Sequence, residues 1–179
     1  SGFNFNFSSW KPEPHLEDEL DMITHDGVPA RVVEIGCNDG RFLQALKDRG
    51  AKTAVGIEPN PVPGAAARDR GLTVFTSMIH PDVCDAAIDA AGGEFDLVMS
   101  RQVLEHVLDL DNFLQCADRM LNDTGRLFID VPDFEPSLKS GDCSMIWEEH
   151  VSYFTEQSLL ALFARHGFVA EAVQRYDFS

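Results

Sequence analysis

"VVEIGCNDGRFL", residues 32–43, decides the architecture. The β-branched run Val32, Val33, Ile35 reads as a buried strand, broken by Gly36 and Gly40, after which "RFLQALKDRG" continues at helical spacing to Gly50. A strand that turns through a glycine-flanked loop into a helix opens a parallel α/β unit, and glycines there let the backbone lie against a ligand. Working outward, "TAVGIEP", "LTVFTSMI", "FDLVMS", "GRLFIDVP" and "FVAEAVQRYDF" read as further strands. Between them "PVPGAAARDRG", "DVCDAAIDAAGG", "LDNFLQCADRML" and "TEQSLLALFARHG" read as helices, the last with Thr155 as N-cap and Gly167 past its end. This alternation predicts a doubly wound, mostly parallel sheet with helices on both faces, and ligands of such sheets bind beyond the carboxyl ends of the strands. Three chemically rich loops fall there: 36–41, 58–61 and 100–106.

The 179 residues predict one main domain, 28–179, preceded by an arm and helix over 1–27 that fold over the ligand site. In the arm, Phe3, Phe5 and Phe7 share one side of an extended segment, and Leu16, Leu20 and Ile23 share one helix face. An edge strand and helix patching the core is the equal alternative. No apolar run of membrane-spanning length and no signal-peptide pattern is read, so a cytoplasmic protein is expected. The net charge of −16 argues against nucleic acid as a partner and for a small-molecule substrate. Cys37, Cys84, Cys116 and Cys143 form no C-x-x-C pair, so neither a structural zinc site nor a disulfide scaffold is expected. Oligomeric state is not legible.

The loop chemistry narrows the ligand. A dinucleotide fingerprint requires G-x-G-x-x-G, but Asn38 stands where its second glycine would be. A Walker-type loop is absent as well. Glu34 and Asp39 would repel a pyrophosphate and suit a ligand with a cationic end and no phosphate, such as S-adenosylmethionine. Glu58, closing the next strand in "GIEPN", can accept both ribose hydroxyls.

With "VVEIGCNDGRFL", "GIEPN", "FDLVMSRQVLEHVLDLDNFL" and "GRLFIDVP" in this order, the chain resembles the class I S-adenosylmethionine-dependent methyltransferases over roughly residues 30–175. The resemblance implies that Glu34, Gly36, Cys37, Asn38, Asp39 and Gly40 line the methionine side and that Glu58 and Pro59 hold the ribose. Ser77 and Met78 would face the adenine, and Arg101, Gln102 and Val103 would close the floor. His106, in "VLEHV", is read as structural. The complete sheet of that family carries a final antiparallel strand inserted beside the fifth, for which no segment is read here.

"DCSMIWEEHVSYFTEQSL", residues 142–159, follows the fifth strand and holds Trp147, Glu148, Glu149, His150 and Tyr153. A histidine beside carboxylates is a candidate general base, its basicity raised by their charge. A hydrogen-bonded structural histidine is the plain alternative. A metal site from His150, Glu149 and Asp133 lacks supporting spacing, and no metal is expected.

The stretch resembles the sugar C-methyltransferases that act on nucleotide-linked keto-deoxysugars, whose pattern reads approximately Y-H-E-H-x-S-Y-F. That resemblance implies His150 as base, with Glu149 and Tyr153 beside it. Trp147, Phe5 and Phe7 depart from it where the family has tyrosines. The family's cysteine-rich zinc domain and large second domain have no counterpart in these residues. O-methylation of another small molecule, or a non-catalytic cofactor-binding module, are the other readings; a nicotinamide dehydrogenase is disfavoured by the missing glycine.

Overall fold

Val32 and Val33 are both fully buried although they point to opposite sides of their strand, so the sheet they belong to is covered on both faces. The structure, a computed structural model, describes residues 15–143, 146 and 149–176. Strands β1 (Arg31–Ile35), β2 (Thr53–Ile57), β3 (Thr73–Phe75), β4 (Phe95–Arg101) and β5 (Leu121–Asp130) lie in the order β3-β2-β1-β4-β5. Every pairing among them is parallel. Val32, Leu97 and Met99 pack with Leu20 and Ile23 of α1 (Leu16–Thr24), Phe42, Leu43 and Leu46 of α2 (Arg41–Arg49), and Ala67 of α3 (Pro61–Asp69). Val33, Ile35 and Val98 pack on the other face with α4 (Pro81–Ala91), α5 (Leu110–Met120) and Leu162 of a later helix, Glu156–Arg165.

The strand order reverses between β1 and β4. Helices leaving their carboxyl ends therefore go to opposite faces and a crevice opens between them. Ile35 is paired with Ser100, which brings the loops 36–40 and 101–106 side by side. Within the second loop, Leu104–His106 forms one 3-10 turn.

The predicted doubly wound parallel sheet is found, with two differences of detail. β3 is only three residues long, because Ser77 N–H turns back to the Phe75 carbonyl (3.1 Å) and ends the ladder. A short helix α6 (Glu135–Ser140), with Asp133 accepting from the Glu135 N–H, was not expected. The helix Glu156–Arg165 is then α7, and Thr155 caps it in a capping box with Ser158.

The expected sixth strand is corrected: residues 168–176 form no strand, and 169–175 are exposed. A strand needs a neighbour to take its backbone groups, and among the described residues β5 pairs with β4 alone. Side chains tether this segment instead. Arg175 reaches Glu135 (2.6 Å), Glu156 (3.1 Å) and Asp133 (3.3 Å), while the Tyr176 ring stacks on His15 at 4.3 Å. Phe3, Phe5, Phe7, Trp147 and Glu148 lie outside the described residues. Among the described residues no helix is long and apolar enough to cross a membrane.

Candidate functional site

The turn after β1 is built for close approach. Gly36 and Gly40 sit at φ +79° and +75°, a region that favours glycine. A Cβ on Gly36 would collide with a methyl group of Val103, and one on Gly40 with Leu72 and Ala67. Two non-glycine residues share the left-handed region, Asn38 at +49° and Gln102 at +53°. Both lie on loops at the crevice, where strained backbone tends to collect. Gln102 is held there by its N–H to the Asp130 carbonyl (2.9 Å) and its amide to the Asp130 carboxylate (2.7 Å).

Glu58 ties the turn to β2. Its carboxylate accepts the Asn38 N–H at 2.9 Å and the Asn60 N–H at 2.8 Å, one on each oxygen. Burial pushes its pKa up, and the two N–H donors oppose that rise. Each oxygen keeps lone-pair capacity for one more donor, so the pair can take a vicinal diol. Gly56 supports this corner, since any Cβ there would strike the Cys37 sulfur. Burial and the charges of Glu34 and Glu58 push the Cys37 thiol up, which keeps it a protonated packing group rather than a nucleophile.

Glu34 and Asp39 are both paired with arginines. Asp39 is engaged by Arg41 (2.7 Å) and Arg70 (3.3 Å). Arg101 bridges Glu34 (3.2 Å) and Glu19 of α1 (3.1 Å), and its guanidinium lies 3.9 Å from the centre of the Phe42 ring. Sequence reasoning missed Glu19 because nothing local marks it. Pro59 and Met78 are exposed on the rim, and Ser77 donates its hydroxyl to the Met78 carbonyl (2.9 Å).

A second group of residues gathers at the carboxyl end of β4. The Glu105 carbonyl accepts the N–H groups of Val151 (2.9 Å) and Ser152 (3.1 Å), and His106 Nδ1 lies 2.9 Å from the Glu149 carbonyl. These contacts fold the 149–152 segment back over the 3-10 turn. The His150 and His106 rings meet edge-on at 4.9 Å, and Tyr153 stands 6.0 Å from His150 and 4.7 Å from Phe134.

The expected rise in His150 basicity is corrected. Burial lowers its pKa, as does His106, and the opposing Glu149 charge is the weakest of the three influences because that side chain is exposed. Glu105 was not singled out as a site residue. It is 2% exposed, and burial raises its pKa to about 7. An open groove of about 380 Å³ adjoins this group and is lined by Leu110, Ser152, Tyr153, Ser158, Leu162 and Arg165. It includes none of the glycine-turn residues, so the chemistry rather than the size of the hollow identifies the cofactor cleft.

The cleft fits S-adenosylmethionine. The 36–40 loop carries no lysine or arginine for a pyrophosphate, and Glu58 offers a diol acceptor. Replacing Glu58 by alanine is expected to weaken cofactor affinity by roughly 1.5–3 kcal/mol, the scale for removing a charged hydrogen-bond partner. Calorimetric titration checks this, and unchanged affinity would take Glu58 out of the ribose role.

Known proteins agree with the cleft. A family model described as a methyltransferase domain matches residues 13–173. The C-methyltransferase NovU of Streptomyces niveus is 32% identical over 136 residues, 76% of this chain and 32% of that protein. The human mitochondrial ubiquinone biosynthesis O-methyltransferase is 31% identical over 103 residues, 55% of this chain and 28% of that protein. The chain thus spans about a third of the length of these relatives. Among solved structures, a SAM-dependent methyltransferase from Archaeoglobus fulgidus superposes with a TM-score of 0.67 at 20% identity, covering 87% of this chain and 66% of that one. One from Mesorhizobium loti gives 0.65 at 19%, covering 91% and 83%. The family match over most of the chain, on this sheet and this cleft, shows that the chain belongs to the class I S-adenosylmethionine-dependent methyltransferases.

Proposed function

We propose that this chain is the cofactor domain of a C-methyltransferase acting on a small oxygenated molecule, a nucleotide-linked keto-sugar, with His150 as the base. The observation that carries the reading is the folding of the 149–152 segment onto the Glu105 carbonyl, which holds the backbone of His150 beside the 3-10 turn that follows β4. S-adenosylmethionine supplies a methyl group already activated on a sulfonium. Glu34, Gly36, Cys37, Asn38, Asp39 and Gly40 would border its methionine part, Glu58 and Pro59 its ribose, Ser77 and Met78 its adenine. Arg101, Gln102 and Val103 would form the floor.

The protein's own task is to place the acceptor, exclude water and take up a proton. His150 is suited to the last. Its lowered pKa keeps the imidazole neutral near pH 7, so its lone pair is available to remove a proton α to a ketone. Tyr153 lines both the groove and the histidine's surroundings. The phosphates of a nucleotide-sugar require positive charge, and Arg101, Lys139 and Arg165 differ in their availability for it. Arg101 is taken by Glu19 and Glu34, and Lys139 pairs with Glu135 at 2.9 Å. Arg165 lines the groove that reaches Tyr153 and lies 3.9 Å from Asp111. In this reading α1, which packs on the core through Leu20 and Ile23, would also border the cleft through Glu19, 3.1 Å from Arg101.

The name of the Streptomyces relative supports carbon as the methylated atom. The ubiquinone relatives favour a second reading, O-methylation, in which the same histidine takes a hydroxyl proton. Exchange of the substrate's α-proton with deuterated water separates the two: it is expected for the ketone and absent for an O-methyl acceptor. Nucleic acid is not expected to bind, given the net charge of −16. A salt-sensitive shift of tRNA or DNA on a gel at physiological ionic strength would contradict this.

A further inference from the structure

We infer that Glu105, His106 and His150 form a binding site for a divalent transition-metal cation of the zinc class, and that its occupancy switches off the base at His150; this consequence, though not the binding, rests on the function proposed above. One ligand atom from each of the three side chains lies within 4.8 Å of the other two. Zinc bound at about 2.0–2.2 Å to nitrogen and oxygen ligands holds them roughly 3.3 Å apart in a tetrahedral shell. The cluster must therefore close by about 1–1.5 Å at most. Ring rotation of His150, carried on a loop and half-buried, can provide that movement.

The chemistry of each group points the same way. A carbonyl oxygen only accepts hydrogen bonds, so His106 Nδ1, 2.9 Å from the Glu149 carbonyl, must carry the proton. In the neutral ring Nε2 is then a lone pair, and it lies 3.8 Å from Glu105 Oε1. This outer hydrogen bond to a backbone carbonyl is the support that metal-ligating histidines use to fix their tautomer. Glu105 is 2% exposed, and among the described residues its Oε2 is buried without a hydrogen-bond partner. Glu105 thus sets a buried carboxylate with one unpartnered oxygen beside two imidazoles, a donor set that a divalent cation can bind. Two nitrogens and one oxygen suit zinc, copper or nickel ahead of magnesium or calcium. Three protein ligands leave a position open for water, the arrangement of an exchangeable site rather than a closed structural one.

Coordination uses the ring lone pair with which His150 would accept the substrate proton, so metal and proton compete for one pair of electrons. No oxidant or reductant takes part. The test uses protein first treated with a chelator and then dialysed. Cobalt(II) is titrated while visible absorption is followed, and zinc is titrated by calorimetry, in a buffer that does not bind metals. One saturable site is expected, with cobalt displaced by zinc. His150→Gln and His106→Gln should each weaken it by about tenfold or more, the scale on which changes at metal sites act. Affinity for S-adenosylhomocysteine, measured on the same samples, shows that the variants are folded. Absence of saturable binding up to about millimolar metal, or equal binding by His150→Gln through exposed carboxylates, would overturn the site. Deuterium exchange into a keto substrate by metal-free protein tests the base separately. If exchange fails while metal binds at these residues, the function is wrong and the site stands. If exchange proceeds unchanged in zinc-saturated protein, the switch is wrong.

Discussion

Arg101→Met is expected to destabilise the fold by about 3–5 kcal/mol, the cost of removing one partner from a buried ion pair. Methionine keeps an apolar, unbranched side chain and deletes the guanidinium, with it the contact over the Phe42 ring. Arg101, Glu34 and Glu19 have side chains only 11%, 2% and 7% exposed, so solvent screens little of what is lost. Two buried carboxylates, one on β1 and one on α1, then lose the guanidinium they share. Urea unfolding of wild type and variant, extrapolated to water, measures the difference. The triple change Arg101→Met, Glu34→Gln, Glu19→Gln separates charge from packing, because uncharged amides of similar shape no longer need the cation and most of the lost stability should return. A loss below about 1 kcal/mol in the single variant, the range of an exposed pair, would show that Arg101 does not hold α1 to the sheet.

That ion-pair bridge marks the boundary of what the sequence reveals. The sheet is legible because its causes are local. Val32, Val33 and Ile35 are β-branched, Gly36 and Gly40 mark the turn, and Thr155 precedes a helix whose third residue, Ser158, completes its cap. The ribose acceptor Glu58 is also legible, because it closes a strand beside the glycine turn. Contacts set by tertiary folding are not legible: Arg101 lies 67 residues from Glu34 and 82 from Glu19, and no periodicity links them. The environment of His150 escapes for the same reason. Its sequence neighbour Glu149 suggested a raised basicity, but in space the ring meets His106, 44 positions earlier, and loses solvent. Residues 168–176 hold strand-favouring Phe168, Val169, Val173 and Tyr176, yet strand formation depends on a pairing edge that sequence pattern alone does not supply.

His150→Gln is expected to lower turnover of the keto substrate by about 100-fold or more, the usual scale for a general base, while leaving S-adenosylmethionine affinity unchanged. The separation follows from the geometry. The loop holding His150 is fixed through backbone groups, the Glu105 carbonyl taking the Val151 and Ser152 N–H groups. Changing the side chain therefore leaves the 3-10 turn and the Val103–Gly36 contact in place. Glutamine preserves polarity and approximate length but offers no basic nitrogen. Deuterium exchange at the substrate α-carbon should fall in parallel with turnover, since both begin with the same proton removal. Turnover and cofactor affinity are measured on the same preparation by product mass and by calorimetry. If both fall together, His150 holds the cleft rather than the proton. If turnover stays at the wild-type level, the base lies elsewhere, and Tyr153, 6.0 Å away on the same segment and lining the groove, becomes the residue to change next.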